Sequence, residues 1–326
     1  MTALTIAAPL AAQRTLASIA AIGSVGWALV VVLGEHLPSG GDPVSQSLAL
    51  AIGAVVPLGL SIAPAKEAER PYFTLLCYLL PPAQLGALVS LTLSSGPAAG
   101  AAASLWVVAC IVIAVMGLGR MRAASHPSDR GVALAWIFLP VGAVWLVMAR
   151  VGASPLHLSS LLVALTAAHF HYAAFAALTV VSMACAHVQG GARRALHATL
   201  VTLAIAMALV ALGITLSPQA VDGGARDAGL GERISQAGAV LFTLAFLTHA
   251  VVLFPSIARL PPVPARIAIG LGALAPLGAL PLAILYTFGA LDLDTMIAWH
   301  APLNTYGFGG LSLVGWALVR FGRSPT

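Results

Sequence analysis

Charged side chains are what this 326-residue sequence most lacks: Asp, Glu, Lys and Arg make up 8% of it, and lysine occurs once, at Lys66. Soluble domains carry roughly 25% charged residues, so this chain cannot cover a globular surface with water-soluble groups. Apolar residues account for 60% of the chain, and its mean hydropathy is +0.99. The composition therefore predicts an integral membrane protein whose apolar side chains face both the lipid bilayer and one another.

Cysteine is also scarce, and its pattern excludes several site types. Cys77, Cys110 and Cys185 lie inside apolar segments with no CxxC or Cys/His spacing, which favours buried free thiols over a disulfide or a zinc site. Basic residues outnumber acidic ones by 15 to 10, but they occur in ones and twos between hydrophobic segments. Because no basic face with interleaved aromatic residues is present, we expect no nucleic-acid partner.

Ten long apolar segments dominate the chain. Each is near or above the ~20 residues that an α-helix needs to cross ~30 Å of hydrocarbon. We predict an all-α fold, a polytopic transmembrane helix bundle of about ten helices that forms a single transmembrane domain over residues 1–326. The predicted spans are 15–34, 45–63, 72–95, 97–119, 131–150, 157–186, 196–216, 233–256, 265–288 and 302–321.

The distribution of basic residues predicts the orientation of these spans. With the N-terminus in the cytoplasm, twelve basic residues fall on the inner side and only Arg150, Arg226 and Arg233 on the outer side. Cytoplasmic loops of membrane proteins carry such an excess of Lys and Arg, so we predict that both termini are cytoplasmic. The preference for Arg and Ala is typical of a GC-rich bacterial genome, and we expect a multi-pass protein of the bacterial inner membrane.

Two histidines lie in the middle of the sixth predicted span, within His169-Phe-His-Tyr-Ala-Ala-Phe175. Ionisable groups are costly in hydrocarbon and by default mark a functional site, so we predict catalytic roles for His169 and His171 and a substrate contact for Tyr172. In a regular helix the two imidazoles point ~200° apart and cannot bind one metal ion. A purely structural role, as hydrogen-bonding groups between helices, is the alternative.

A second polar cluster precedes and opens the tenth predicted span. It offers an imidazole and two carboxylates as catalytic candidates, His300, Asp292 and Asp294, together with Asn304 and Tyr306 as substrate contacts. His300 and Asn304 are four residues apart and share a face if one helix carries both. Asp294 fits the cap of a helical turn equally well.

Three further candidates lie outside these clusters. Glu35 ends the first span on the outer side and could act as an acid, although a solvated loop residue is the alternative. Gln84 follows the Pro81-Pro82 break and is predicted to bind substrate. Arg150 closes the fifth span from outside; it could bind an anionic part of a substrate or extend its guanidinium to the membrane surface.

Two stretches carry a resemblance to a known family. His169–Phe175 resembles the HFHYAGF signature of the YndJ-like family of bacterial membrane proteins, and His300–Phe308 is similar to its HGxxNAxGF pattern. The departures are Ala174 and Ala301 in place of Gly and Thr305 in place of Ala, all exchanges between small residues. The resemblance covers the second half of the chain best. It implies that the two stretches form one site in a membrane protein, and the family is often labelled a transporter.

Three functions remain open from the residues. The first is an integral-membrane enzyme that performs cofactor-free isomerisation, cyclisation or epoxide opening on a lipophilic small molecule. Its bases or proton relays would be His169, His171 and His300, and its acid Asp292, Asp294 or Glu35, because burial favours neutral imidazoles and protonated carboxyl groups. The second is a proton-coupled transporter of a small solute, and the third is a haem or metal protein. We expect no cofactor and no metal.

Overall fold

Ten consecutive helical spans make up the computed structural model of this chain. It describes residues 2–37, 41–216 and 229–322, and no strand occurs in those ranges. The helices are α1 (Thr2–Leu33), α2 (Pro43–Ile62), α3 (Arg70–Thr92), α4 (Pro97–Arg122), α5 (Pro127–Val151), α6 (Ser160–His187), α7 (Gly190–Leu216), α8 (Leu230–Ile257), α9 (Val263–Thr287) and α10 (293–321).

Nine of these helices, all within the described residues, are long and apolar enough to cross a membrane. The prediction of an all-α, multi-span membrane bundle is therefore confirmed. The largest differences in bounds are at two helix starts: α1 begins at Thr2, thirteen residues before the predicted start at residue 15, and α10 begins at Leu293, nine residues before the predicted start at residue 302. Its first turn is fixed by Asp292, whose Oδ1 accepts the backbone N–H of Thr295 at 2.7 Å.

Three helices contain a π-helical segment near the middle of the bundle: Ala51–Val55 in α2, Phe170–Ala176 in α6 and Leu303–Leu311 in α10. The three segments contact one another, so the widened turns converge on one region. Turns of this kind are rare and occur frequently at functional sites. The last segment begins directly after Pro302, and this change of helix type accompanies the passage of α10 through that proline.

Gln84 stabilises the irregular stretch of α2. Pro57 has no backbone N–H, so it leaves the carbonyl of Gly53 without its α-helical donor. The side-chain Nε2 of Gln84 donates to the carbonyl oxygens of Gly53 at 3.0 Å and Ile52 at 2.8 Å. Since Gln84 is buried in α3, it ties that helix to α2. This contact gives Gln84 a structural role.

Helices α1 and α2 cross at a contact between two glycine backbones. A Cβ atom placed on Gly53 would overlap the carbonyl oxygen of Gly23, and the reverse also holds. Glycine allows this approach because it has no side chain.

Replacing Gly53 with alanine is therefore expected to push α1 away from α2 and lower the free energy of unfolding by about 1–3 kcal/mol. Thermal unfolding in detergent measures the effect. Gly270→Ala on α9 is the matched control, because a Cβ atom there meets nothing within 4 Å. Equal melting temperatures for the two variants would contradict the proposed contact.

Four charged residues form an ion cluster at the end of the bundle where α3 and α5 begin and α4 ends. Arg120 is 1% exposed; its Nε donates to Glu69 Oε1 at 2.7 Å and its Nη2 to Glu69 Oε2 at 2.6 Å. Its Nη1 lies 3.4 Å from Asp129, which also pairs with Lys66 at 3.0 Å. The guanidinium lies 4.7 Å from the centroid of the Trp136 ring. The ion cluster thus joins three helices around two carboxylates and two cations.

Candidate functional site

A cavity of about 250 Å³ lies between six helices, α2 and α6 to α10. It extends from the end of the bundle where α6, α8 and α10 begin towards the middle, and by the predicted orientation this is the outer half. Most of its walls are aliphatic or aromatic. The polar or ionisable residues that line this main cavity are Ser47, Thr166, His169, Tyr172, Glu232, Ser235, Tyr286, Thr287, His300, Asn304 and Thr305.

His169 reaches the main cavity from α6, one residue before the π-helical segment of that helix. Its Nδ1 lies 2.8 Å from the carbonyl oxygen of Leu165. A carbonyl oxygen only accepts hydrogen bonds, so Nδ1 must carry the proton and donate it. In the neutral ring Nε2 then holds a lone pair, and no described residue occupies it.

His300 reaches the same cavity from α10. Its Nδ1 donates to the carbonyl oxygen of Ala279 on α9 at 2.9 Å, which fixes the ring against a neighbouring helix. The same reasoning assigns the proton to Nδ1 and leaves Nε2 open. His169 and His300 lie within electrostatic range of each other. Two imidazoles from different helices therefore present the same kind of open nitrogen to one cavity.

Asn304 and Tyr172 also line the main cavity, as the sequence motifs suggest. Asn304 donates its Nδ2 to the carbonyl oxygen of His300 at 3.0 Å, so its Oδ1 remains available to a ligand. Tyr172 donates its hydroxyl to the carbonyl oxygen of Ser47 on α2 at 2.8 Å. A Cβ atom on Gly309 would lie 2.9 Å from the tyrosine ring, so the ring packs directly on α10. Tyr172 forms a wall of the cavity with its hydroxyl already engaged.

Glu232 is a cavity residue that the sequence analysis did not select. It lies in the first turn of α8, where its Oε1 accepts a hydrogen bond from Gln236 Nε2 at 3.3 Å. Its Oε2 is buried, and no described residue donates to it. Among the described residues that line the cavity, Glu232 has the one carboxyl group. The sequence feature that could have indicated Glu232 is its four-residue spacing from Gln236, which places both polar side chains on one face of the first turns of an apolar helix.

His171 does not line the main cavity. It is fully buried on the other side of α6, where its Nε2 accepts a hydrogen bond from Trp106 Nε1 at 3.1 Å. Its Nδ1 donates to the carbonyl oxygen of Ala167 at 2.8 Å, and the imidazole lies edge to edge with the Trp106 ring, the two planes 17° apart. Both ring nitrogens are therefore engaged. Because the two histidines are two residues apart, His169 faces the main cavity and His171 faces α4. The hydrogen bond from Trp106 to His171 therefore joins α6 to α4.

We expect His171→Ala to lower the free energy of unfolding by about 1–3 kcal/mol, because it leaves the buried Trp106 N–H without an acceptor. Thermal unfolding in detergent measures this change. His171→Gln is the matched variant, since its amide oxygen can accept the same bond and should recover part of the stability. An unchanged melting temperature in the alanine variant would exclude this structural role.

The predicted carboxylates of the second cluster do not reach the cavity. Asp292 is exposed; the backbone N–H and hydroxyl of Thr295 donate to its two oxygens at 2.7 and 2.8 Å. These bonds lower the pKa of the Asp292 carboxyl group below its usual value. Asp294 is exposed in the first turn of α10. Tyr306 packs on Trp27 of α1, with ring centroids 5.7 Å apart, and is not a lining residue.

The remaining candidates do not contribute to the main cavity. Gln84 supports α2, and Arg150 is buried at the end of α5, where its Nη2 donates to the carbonyl oxygen of Leu93. The side chain of Glu35 lies outside the described residues. Within those residues, no group of three His, Cys, Asp or Glu side chains is close enough to hold a metal ion, and the three cysteines are free.

The long apolar helices and a mostly apolar cavity with two imidazoles define this chain as a polytopic membrane protein with an internal polar site. The chain belongs to the YndJ-like family, whose model matches residues 46–308. The matched range includes His169, His300, Asn304 and Glu232, so the family assignment covers the polar part of the cavity. No curated protein and no solved structure matches the chain.

Proposed function

We propose that this protein is an integral enzyme of the bacterial inner membrane that performs acid/base chemistry on a lipophilic biosynthetic intermediate. Isomerisation, cyclisation and epoxide opening are the reactions that fit. The observation that carries the proposal is the presence of His169 and His300, from different helices, in one mostly apolar cavity. By the predicted orientation, both termini are cytoplasmic and the cavity lies in the outer half of the bilayer.

The two imidazoles are suited to proton abstraction. In each ring the proton on Nδ1 is held by a backbone carbonyl, so the lone pair of Nε2 is available as a base. When Nε2 takes a proton from a substrate carbon or hydroxyl, the ring becomes a cation and its Nδ1–H···O=C bond becomes charge-assisted. The carbonyls of Leu165 and Ala279 therefore stabilise the protonated rings in place.

Glu232 supplies the second proton-transfer group. As a carboxylic acid it can deliver a proton to one substrate atom while an imidazole removes a proton from another, so the substrate is isomerised with no net change in its number of protons. Transfer of the proton from the imidazolium back to the carboxylate then restores both groups for the next turnover. As a carboxylate it supplies the negative charge that balances an imidazolium. Asn304, with its free Oδ1, lies one helical turn beyond His300 and is placed to orient a hydroxyl or amide of the substrate.

The walls of the cavity favour an apolar substrate. Phe242, Phe246 and Phe308 form one aromatic side, and Phe246 and Phe308 meet edge to face with centroids 4.8 Å apart. Leu162 and Leu165 line it from α6. Sites of this kind bind apolar ligands through their walls and orient them by a few polar groups.

Deuterium incorporation tests the proposal in a mixture of lipids, so the substrate need not be identified in advance. Bacterial lipid extract is incubated in D₂O with nanodiscs that contain the protein or with empty nanodiscs, and lipophilic molecules are compared by mass spectrometry. We expect at least one lipophile that gains deuterium, or changes its retention at constant mass, only when the protein is present. Identical spectra in both samples would contradict the proposal.

A proton-coupled transporter is the second candidate. The π-helical interruptions of α2, α6 and α10 favour it, because transporters bind their substrates where membrane helices are discontinuous. Proteoliposomes loaded with a pH-sensitive dye separate the two functions. A transporter acidifies or alkalinises the lumen when a solute is added, whereas the proposed enzyme leaves the luminal pH unchanged.

A further inference from the structure

A second cavity, also of about 250 Å³, lies at the opposite end of the bundle. It lies between the ends of α2, α6 and α10 and shares no lining residue with the main cavity. By the predicted orientation this is the cytoplasmic end. Its polar or aromatic lining residues are Arg320, His187 and Trp316, and its apolar ones include Ile62, Met183 and Val319.

Arg320 is the cation of this second cavity, and its hydrogen bonding is incomplete. Its Nη2 donates to the side-chain oxygen of Gln13 on α1 at 2.5 Å. Its Nε is buried, and no described residue accepts from it. A buried N–H without an acceptor is costly, so the residues around Arg320 leave its guanidinium incompletely paired.

The described residues provide no carboxylate for Arg320. The nearby ion cluster is balanced within itself, since Glu69 and Asp129 neutralise Arg120 and Lys66. No ion pair to Arg320 occurs in the described part of the chain. A cation beside a cavity, without its own counter-ion there, favours an anionic occupant.

His187 adds a second polar contact from a different helix. Its Nδ1 donates to the carbonyl oxygen of Met183 at 2.8 Å, which leaves Nε2 as the open ring nitrogen. The ring lies against Trp316, with centroids 4.6 Å apart. Arg320 and His187 therefore approach the second cavity from α10 and α6.

We propose that the second cavity binds a phosphate group, with Arg320 as its main contact and the open Nε2 of His187 as a second one, which accepts a hydrogen bond from a protonated (P–OH) oxygen of that group. A tetrahedral phosphate presents oxygens in several directions and can meet side chains from two helices, whereas a planar carboxylate fills one edge of a guanidinium. The phosphate belongs either to a soluble phosphate monoester or to the head group of an anionic lipid. This site is independent of the chemistry proposed for the main cavity.

Tryptophan fluorescence tests the site directly, because Trp316 lines it. The full-length protein in phosphatidylcholine nanodiscs is titrated with inorganic phosphate, with glycerol 3-phosphate and with dihexanoyl phosphatidic acid. We expect a saturable change in fluorescence that is absent in Trp316→Phe. Tighter binding of phosphatidic acid identifies a lipid head group, and tighter binding of glycerol 3-phosphate identifies a soluble ester.

Two variants separate binding from folding. Arg320→Gln is expected to weaken phosphate binding by at least about tenfold, which corresponds to ~1.4 kcal/mol. Gln13→Ala removes the hydrogen bond between Gln13 and Arg320 that joins α1 to α10, but it keeps the cation. The phosphate affinity of this variant should therefore stay within about threefold of the wild type, ~0.7 kcal/mol. If Arg320→Gln does not fold, Arg320→Lys retains the charge and should bind phosphate more weakly than the wild type. The proposal is overturned if the wild type shows no saturable response, if acetate binds as tightly as phosphate, or if the Arg320 variant binds as the wild type does.

Discussion

Replacing His300 with alanine is expected to reduce the protein-dependent deuterium incorporation or rearrangement by about 10²–10⁴-fold, the usual contribution of a positioned acid or base. The imidazole of His300 is held by the carbonyl of Ala279 with its Nε2 open, so its loss removes one of the two positioned bases of the cavity. His169→Ala should have an effect of the same order. Time courses of the mass-spectrometric assay measure both rates.

The control for this loss is another histidine of the same chain. His126 is exposed in the connection between α4 and α5, far from the cavity, so His126→Ala should retain the wild-type rate. The melting temperature of His300→Ala is measured in parallel, because His300 also joins α10 to α9. A folded His300→Ala variant with an undiminished rate would remove His300 from the chemistry.

The largest expected effect on stability comes from Glu69→Ala, which should lower the free energy of unfolding by about 3–5 kcal/mol. Glu69 binds Arg120 through both carboxylate oxygens, and the arginine side chain has no solvent exposure. Removing the carboxylate leaves a buried cation with only Asp129 at 3.4 Å as a partial counter-charge. Unfolding in detergent, by heat or by denaturant, measures the difference.

Glu67→Ala is the matched control, because Glu67 pairs with Arg70 at 3.5 Å with both side chains largely exposed, and such pairs contribute little. A double variant, Glu69→Met with Arg120→Met, should recover stability relative to Glu69→Ala, since an apolar pair avoids the unpaired charge. The buried ion pair is refuted as a stabilising contact if Glu69→Ala and Glu67→Ala unfold alike.

Much of the fold follows from hydropathy alone, because lipid-facing helices need long apolar segments whatever their partners. The start of α10 was missed for a physical reason: Pro302 and the polar residues before it are typical of a loop, yet Asp292 caps a helix there. The three π-helical segments were not predicted either. One extra residue in a turn changes the rotation of everything beyond it. Pro57 and Pro302 lie beside two of the segments, but a proline does not by itself specify a π-helical turn.

In the candidate site too, the sequence predicts how deep a residue lies in the bilayer but not which side of its helix it occupies. Depth in the bilayer and the two sequence motifs selected His169, His300, Asn304 and Tyr172, which line one cavity. Depth and motifs do not tell which of His169 and His171 faces the cavity. That depends on which helices pack against each side of α6. The sequence does not predict a role for Glu232, because this residue reaches the cavity only through the packing of α8 against α6 and α10.

Nuclear magnetic resonance of ¹⁵N-labelled histidine tests the central claim most directly, namely that His169 and His300 share one cavity through open Nε2 atoms. Their signals are assigned with His169→Gln and His300→Gln in nanodiscs and followed during titration with decanol, which can donate a hydrogen bond, and with decane, which cannot. The structure predicts unprotonated Nε2 signals for both rings that shift together with decanol. Protonated Nε2 atoms, or a decanol response confined to one ring or absent from both, would contradict the account.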